Sequence, residues 1–163
     1  MTHTLHRQGS QESLSQDYCV LAISACGYND DGSGKQLALV KSILQKHNPV
    51  NFGDIKRGNI YSNNLEEINR ETEDRTVIHA VYSNQDILIK VLSDLKEEDT
   101  GMSIVVSGLF DHVGECCNKS NLRSHTVNYS LGVHGKTSIL PEQSLLEVST
   151  MCGHGLIWIG YTR

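Results

Sequence analysis

Short β-rich runs alternate along the chain with stretches of helical spacing. Tyr18 to Ile23 is a continuous apolar run of strand length, followed by the glycine- and aspartate-rich stretch Gly27 to Gly34. Leu37, Val40, Ile43, Leu44 and His47 then recur at helical spacing, and the pattern stops at Asn48-Pro49, where proline disfavours continuation. Residues 48–75 carry Asn51, Gly53, Gly58, Asn59, Asn63 and Asn64 among mixed charges. They are expected to form an irregular connection with one short helix at Leu65 to Asn69.

Thr76 to Tyr82 is β-branched and strand-like, and Ser83 or Asn84 is placed to cap a helix whose apolar face is Leu88, Val91, Leu92 and Leu95. Met102 to Ser107 is the third clear strand. Leu109, Phe110, Val113, Cys116 and Cys117 continue at helical spacing to Asn121, with Cys117 expected at the centre of the apolar stripe and Cys116 at its edge. A fourth strand is expected over Thr126 to Val133. A helix should start at Leu140-Pro141-Glu142 and run to Cys152, and a last strand covers Leu156 to Ile159.

This order predicts an α/β or α+β fold: a single-domain layered sheet with alternating helices, parallel or, alternatively, ferredoxin-like and mixed. Residues 1–17 read as a polar N-terminal segment and 18–163 as one domain. The chain has 163 residues, 38% hydrophobic and 20% charged, an ordinary globular profile of single-domain size.

A net charge of −5 sets the average surface against nucleic-acid phosphates and anionic membranes, and the densest basic pair is only Lys119 with Arg123. Low aromatic content, 6%, weighs against base-stacking platforms. Nothing approaches the roughly 20 apolar residues that cross a bilayer, and the polar start is unlike a signal peptide. The five cysteines, at 19, 26, 116, 117 and 152, are odd in number and unevenly spaced, which points to reduced thiols and a cytoplasmic protein.

Gly32-Ser33-Gly34-Lys35, between a strand and a helix, invites comparison with a phosphate-binding loop. The comparison fails: Asn29 stands where the first glycine is needed, Gln36 where Ser or Thr would bind magnesium, and Asp30 and Asp31 would repel phosphate. Met151-Cys152-Gly153-His154-Gly155 places a thiol, an imidazole and two glycines within five residues. The string resembles the cysteine motif of the proline racemase family. That resemblance implies Cys152 as an acid/base thiol at a substrate α-carbon, with Gly153 and His154 near the substrate. The family's second cysteine motif has no counterpart here. The alternative is that Gly153 caps a helix and Cys152 is a small core residue. More widely, Glu115-Cys116-Cys117, His125 to Asn128 and the later Cys-Gly-His-Gly resemble a prokaryotic family of conserved proteins with no activity attached.

His112 and Cys116 lie four residues apart, neighbours on a helix surface, a spacing that can chelate a metal. With Cys152 and His154 they make two cysteines and two histidines, a set suited to zinc or iron. His134, between Gly132 and Gly135 at a strand end, is a further imidazole placed where α/β proteins bind ligands. The leading expectation is therefore an enzyme for a small polar metabolite, with Cys152, His154 and His134 as catalytic groups. Its rival is a non-catalytic ligand-binding or homo-oligomeric scaffold.

Overall fold

The computed structural model describes residues 8–127 and 132–150. They divide between two compact units, Ser15–His125 and the segments that flank it in sequence. The larger unit contains β1 (Tyr18–Ile23), α2 (Ser33–Lys46), β2 (Asn51–Asp54), β3 (Gly58–Asn59), α3 (Leu65–Ile68), β4 (Val77–Tyr82), α4 (Gln85–Glu98), β5 (Ser103–Ser107) and α5 (Phe110–Lys119). The smaller contains α1 (Gln11–Leu14), a 3-10 turn (Thr137–Ile139) and α6 (Gln143–Ser149).

The fold is α+β, with one open five-stranded sheet in the order β3-β2-β4-β1-β5. Every pairing among the described residues is antiparallel, so these strands form neither a parallel nor a mixed sheet. The reason is topological. Each helical crossover, β1-α2-β2 and β4-α4-β5, skips one position, and the vacant slot is filled by a strand of the other crossover running the opposite way. Two split β-α-β units thus interleave.

Register places the apolar residues of neighbouring strands on one face. Tyr18 lies opposite Tyr82, Val20 between Ala80 and Val106, Ala22 between Ile78 and Ile104, and Phe52 beside Ala80. Against this face α2 buries Leu37, Val40 and Leu44, and α4 buries Leu88, Val91, Leu92 and Leu95. The α4 set follows i, i+3, i+4, i+7 spacing and the α2 set i, i+3, i+7, with Lys41 at its i+4 position, and burying each such apolar side chain stabilises by roughly 1.5–3 kcal/mol. Asn84 caps α4 by accepting the Ile87 N–H at 2.9 Å. Asp99 ends that helix in the left-handed region.

The connection expected to be irregular contains β2 and β3 as well as the expected short helix α3. In β2 only Phe52 is apolar. The strand exists because β4 offers its backbone, Asn51 to Asp54 pairing with Val81 to Ile78, and no local pattern announces that. Gly53 faces His79, and an added Cβ there would lie 2.4 Å from the Gly58 carbonyl oxygen and 2.6 Å from His79 Cε1. Asp54, buried, accepts the Thr76 hydroxyl and the Lys56 N–H. Lys41 is also buried, and its ammonium holds the Ile68 and Arg70 carbonyls at the end of α3 at 2.9 and 3.2 Å.

The phase of α5 differs from the expected one. Cys116 is fully buried, Cys117 is half-buried and Phe110 is 59% exposed. Packing on α4 decides this: Ser120 donates to the Ile89 carbonyl at 3.1 Å, and Cys116 Sγ lies 3.9 Å from the Gln85 carbonyl. A spacing argument on one helix cannot see the partner that selects its face.

In the smaller unit, α6 begins close to the expected start and ends at Ser149, with Thr150 as its C-cap, short of the expected Cys152. Thr150 Oγ1 donates to the Leu146 carbonyl and accepts the Gln8 N–H at 2.8 Å. Of the strand expected over 126–133, the described residues 126, 127, 132 and 133 are not in strand conformation. The rest of it, and the strand expected at 156–159, lie outside the described residues. No helix among the described residues is long and apolar enough to cross a membrane.

Candidate functional site

Tyr18 opens β1 and directs its ring to the helix-covered face, where only 1% of the residue remains exposed. Gly108, just after β5, makes room for it: a Cβ there would lie 2.7 Å from Tyr18 Cδ1 and 3.1 Å from Val113 Cγ2. The phenol oxygen reaches the first turn of α5, where it lies 2.7 Å from His112 Nδ1. Burial raises the Tyr18 pKa, a hydrogen bond from Gln85 works against that, and the phenol keeps its proton at neutral pH.

Around this pair is a cleft of about 440 Å³, lined by Ser15, Gln16, Tyr18, Ser83, Asn84, Gln85, Asp86 and His112. It is assembled from the entry to β1, the N-terminus of α4 and the first turn of α5, all within the larger unit. Hydroxyls and carboxamides dominate its wall. Asp86 supplies one carboxylate and His112 one imidazole. Behind it the Cys116 thiol lies 3.9 Å from both the carbonyl and the side-chain oxygen of Gln85. Burial, followed by the neighbouring Cys117 and Glu115, pushes that thiol's pKa up, away from the thiolate that reactive or metal-binding cysteines need.

His112 and Cys116 therefore face different neighbours, Tyr18 for the imidazole and Gln85 for the thiol. Among the described residues no group of three or more His, Cys, Asp or Glu is placed to hold a metal ion. Cys152 and His154, the other half of the expected zinc or iron set, lie outside the described residues. His134 is exposed in a loop of the smaller unit between Gly132 and Gly135, both with positive φ. Tyr18 and Gln85 escaped sequence reasoning because nothing in the spacing of residues 18, 85 and 112 signals their meeting; the sheet register and the α4–α5 packing bring them together.

The glycine-rich loop is occupied by the chain itself. Gly32, the N-cap of α2, has no side chain to cap the helix, and Asp74 does so from 40 residues away. Its carboxylate accepts the Gly34 N–H at 2.7 Å through Oδ1 and the Gly32 N–H at 2.9 Å through Oδ2. Arg75, in the left-handed region, pairs with Asp30 and Asp31. The anion that a helix N-terminus attracts is thus a side chain of this protein.

The two amide bonds, from Gly34 first and then Gly32, hold the Asp74 pKa below the ordinary carboxyl value. Because the folded pKa is depressed, its stabilising contribution is complete above the unfolded value and is lost as pH falls below about 4. Asp74→Asn is expected to be less stable at neutral pH, since the amide offers one acceptor where two N–H groups need one each. Its stability should also change less between neutral and acidic pH than that of the unaltered protein, as urea denaturation at both pH values would show.

Compared with protein-family models, with curated proteins and with solved structures, the chain matches none.

Proposed function

We propose that the protein binds a small polar metabolite in the cleft formed by the start of β1, the N-terminus of α4 and the first turn of α5, with Tyr18 and His112 as contact residues. The carrying observation is the 2.7 Å approach of Tyr18 Oη to His112 Nδ1 on the wall of a 440 Å³ cleft. That volume falls in the ~300–1,000 Å³ range of small-molecule sites. A wall of hydroxyls and carboxamides with one carboxylate suits a neutral or cationic ligand rich in hydrogen-bonding groups, and Asp86 disfavours an anion.

The test is amide and imidazole NMR of the protein titrated with three fragment classes: polyols and simple amides, amino alcohols, and dicarboxylates. Signals of Ser83 to Asp86 and the His112 ring should move with members of the first two classes and not with the third. His112→Ala should weaken that binding about tenfold, the equivalent of one lost hydrogen bond of roughly 1.4 kcal/mol. If these signals respond to none of the fragments, the reading is wrong.

A further inference from the structure

The two outer strands of the sheet differ in kind. On one side β3 is two polar residues long, and an edge that short does not template a further strand. On the other, β5 is Ser103-Ile104-Val105-Val106-Ser107, with no charge and no proline, in unbroken register with β1, its one partner among the described residues. The ladders fix which of its backbone groups face outward. The Ile55 N–H donates to the Val77 carbonyl opposite it at 3.0 Å, so Val77, His79 and Val81 turn their backbone groups to β2, and Ile78, Ala80 and Tyr82 turn theirs to β1. Alternation through β1 then bonds Cys19, Leu21 and Ile23 to Ser107, Val105 and Ser103, which leaves the N–H and C=O of Ile104 and Val106 at the outer edge. Among the described residues no backbone bond uses those groups. The Ile104 and Val106 side chains share the helix-covered face with Val20, Ala22, Ile78 and Ala80, yet they are only half-buried where those four are wholly enclosed.

We infer that β5 is a dimer edge, to which a second copy of this chain adds its own β5 antiparallel about a twofold axis at Val105, so that one sheet runs through both copies. The strand reads almost the same in both directions, which is what an isologous contact requires. In this register Ser103 lies opposite Ser107 of the second copy, Ile104 opposite Val106, and Val105 opposite itself. The outward N–H and C=O of Ile104 meet those of Val106 as hydrogen-bonded pairs on either side of the axis. Val105 and its copy form the non-hydrogen-bonded pair between them, with Cα atoms about 4.5 Å apart. Facing β-branched side chains stabilise such a ladder, and no like charges oppose it although the chain carries −5 overall. Ile104 against Val106 also covers the apolar surface that β5 leaves open beneath the helices. An extended segment of another protein would use the same backbone groups but would not call for a near-palindrome, and that selects the second copy. A ladder of this length belongs with interfaces under ~1,200 Å², so association is concentration-dependent. The inference does not depend on the cleft being a binding site.

Sedimentation equilibrium of the full chain from ~10 µM to ~1 mM, the range suited to a small interface, should show monomer passing into dimer. Val105 is 45% exposed, so it can be replaced without disturbing the core. Val105→Lys and Val105→Glu each set like charges against one another at the closest pair, and each alone should dimerise at least about tenfold more weakly. An equimolar mixture of the two should recover the dimer as a heterodimer, which also shows that both variants fold. Amide hydrogen exchange reads the register: the Ile104 and Val106 N–H groups should gain protection as concentration rises, while those of Ser103 and Val105, already bonded to β1, should change little. A monomer throughout the range overturns the inference, as does a dimer that neither substitution weakens or that the mixture fails to recover. Ile104 and Val106 amides already protected at the lowest concentration, where the chain is monomeric, would show that the chain covers this edge itself, and that result overturns it as well.

Discussion

Gly34→Ala is expected to destabilise the protein by about 2 kcal/mol, although it places a better helix former inside α2. The favourable side is small, because exchanging glycine for alanine in a helix contributes at most about 1 kcal/mol. Against it stands a collision with backbone: the new Cβ would lie 2.4 Å from the Thr72 carbonyl oxygen and 3.2 Å from the Glu73 carbonyl carbon. Neither can rotate away, so α2 and residues 72–74 must separate, at the ~1–3 kcal/mol typical of overpacking. Separation also weakens the Gly34 bond to Asp74, a charge-assisted contact. Gly114, inside α5, is the matched control. A Cβ there meets nothing within 4 Å, so Gly114→Ala should instead stabilise by roughly 0.5–1 kcal/mol. Urea denaturation of the two variants should give opposite signs. If both stabilise, the close approach of loop and helix described here is wrong.

Gly108→Ala is expected to cost roughly 1–3 kcal/mol and to release His112 from its tyrosine. Here the added methyl meets side chains: Tyr18 Cδ1 at 2.7 Å, Tyr18 Cε1 at 3.2 Å and Val113 Cγ2 at 3.1 Å. The Tyr18 ring is rigid and almost wholly enclosed, so any yielding at Cδ1 is carried to the phenol oxygen. Val113 sits beside His112 on α5, so the same methyl presses on both ends of the 2.7 Å contact. Hydrogen bonding weakens steeply when such a distance and angle are lost. Denaturant unfolding would report the stability loss, and the His112 imidazole signals would report the released bond. Destabilisation with unchanged imidazole signals would show that the seat under the ring does not set the Tyr18–His112 geometry.

Much of the architecture can be read directly from residue patterns, because the elements that pack on the core carry their own period. The strand at Tyr18–Ile23, the face Leu88, Val91, Leu92 and Leu95 with its Asn84 cap, and the short helix after Asn64 are each local statements, and the structure has all of them. The mismatch of Gly32 to Lys35 with a phosphate-binding loop was legible too, from Asn29, Gln36 and the two aspartates.

Tertiary structure decided the rest. Strand β2 has one apolar residue and forms because β4 offers it a ladder. An antiparallel sheet follows from interleaving two crossovers, which no single run of residues records. The buried face of α5 is chosen by α4, which puts Cys116 inside and leaves Phe110 in solvent. Asp74 reaches across 40 residues to cap α2, and Tyr18, Gln85 and His112 converge from three elements on one cleft. Periodicity encodes which face of an element is apolar. Which partner that face meets, and which polar groups are thereby brought within hydrogen-bonding distance, depends on contacts between residues far apart in the chain, and these come into being only when the sheet and helices assemble.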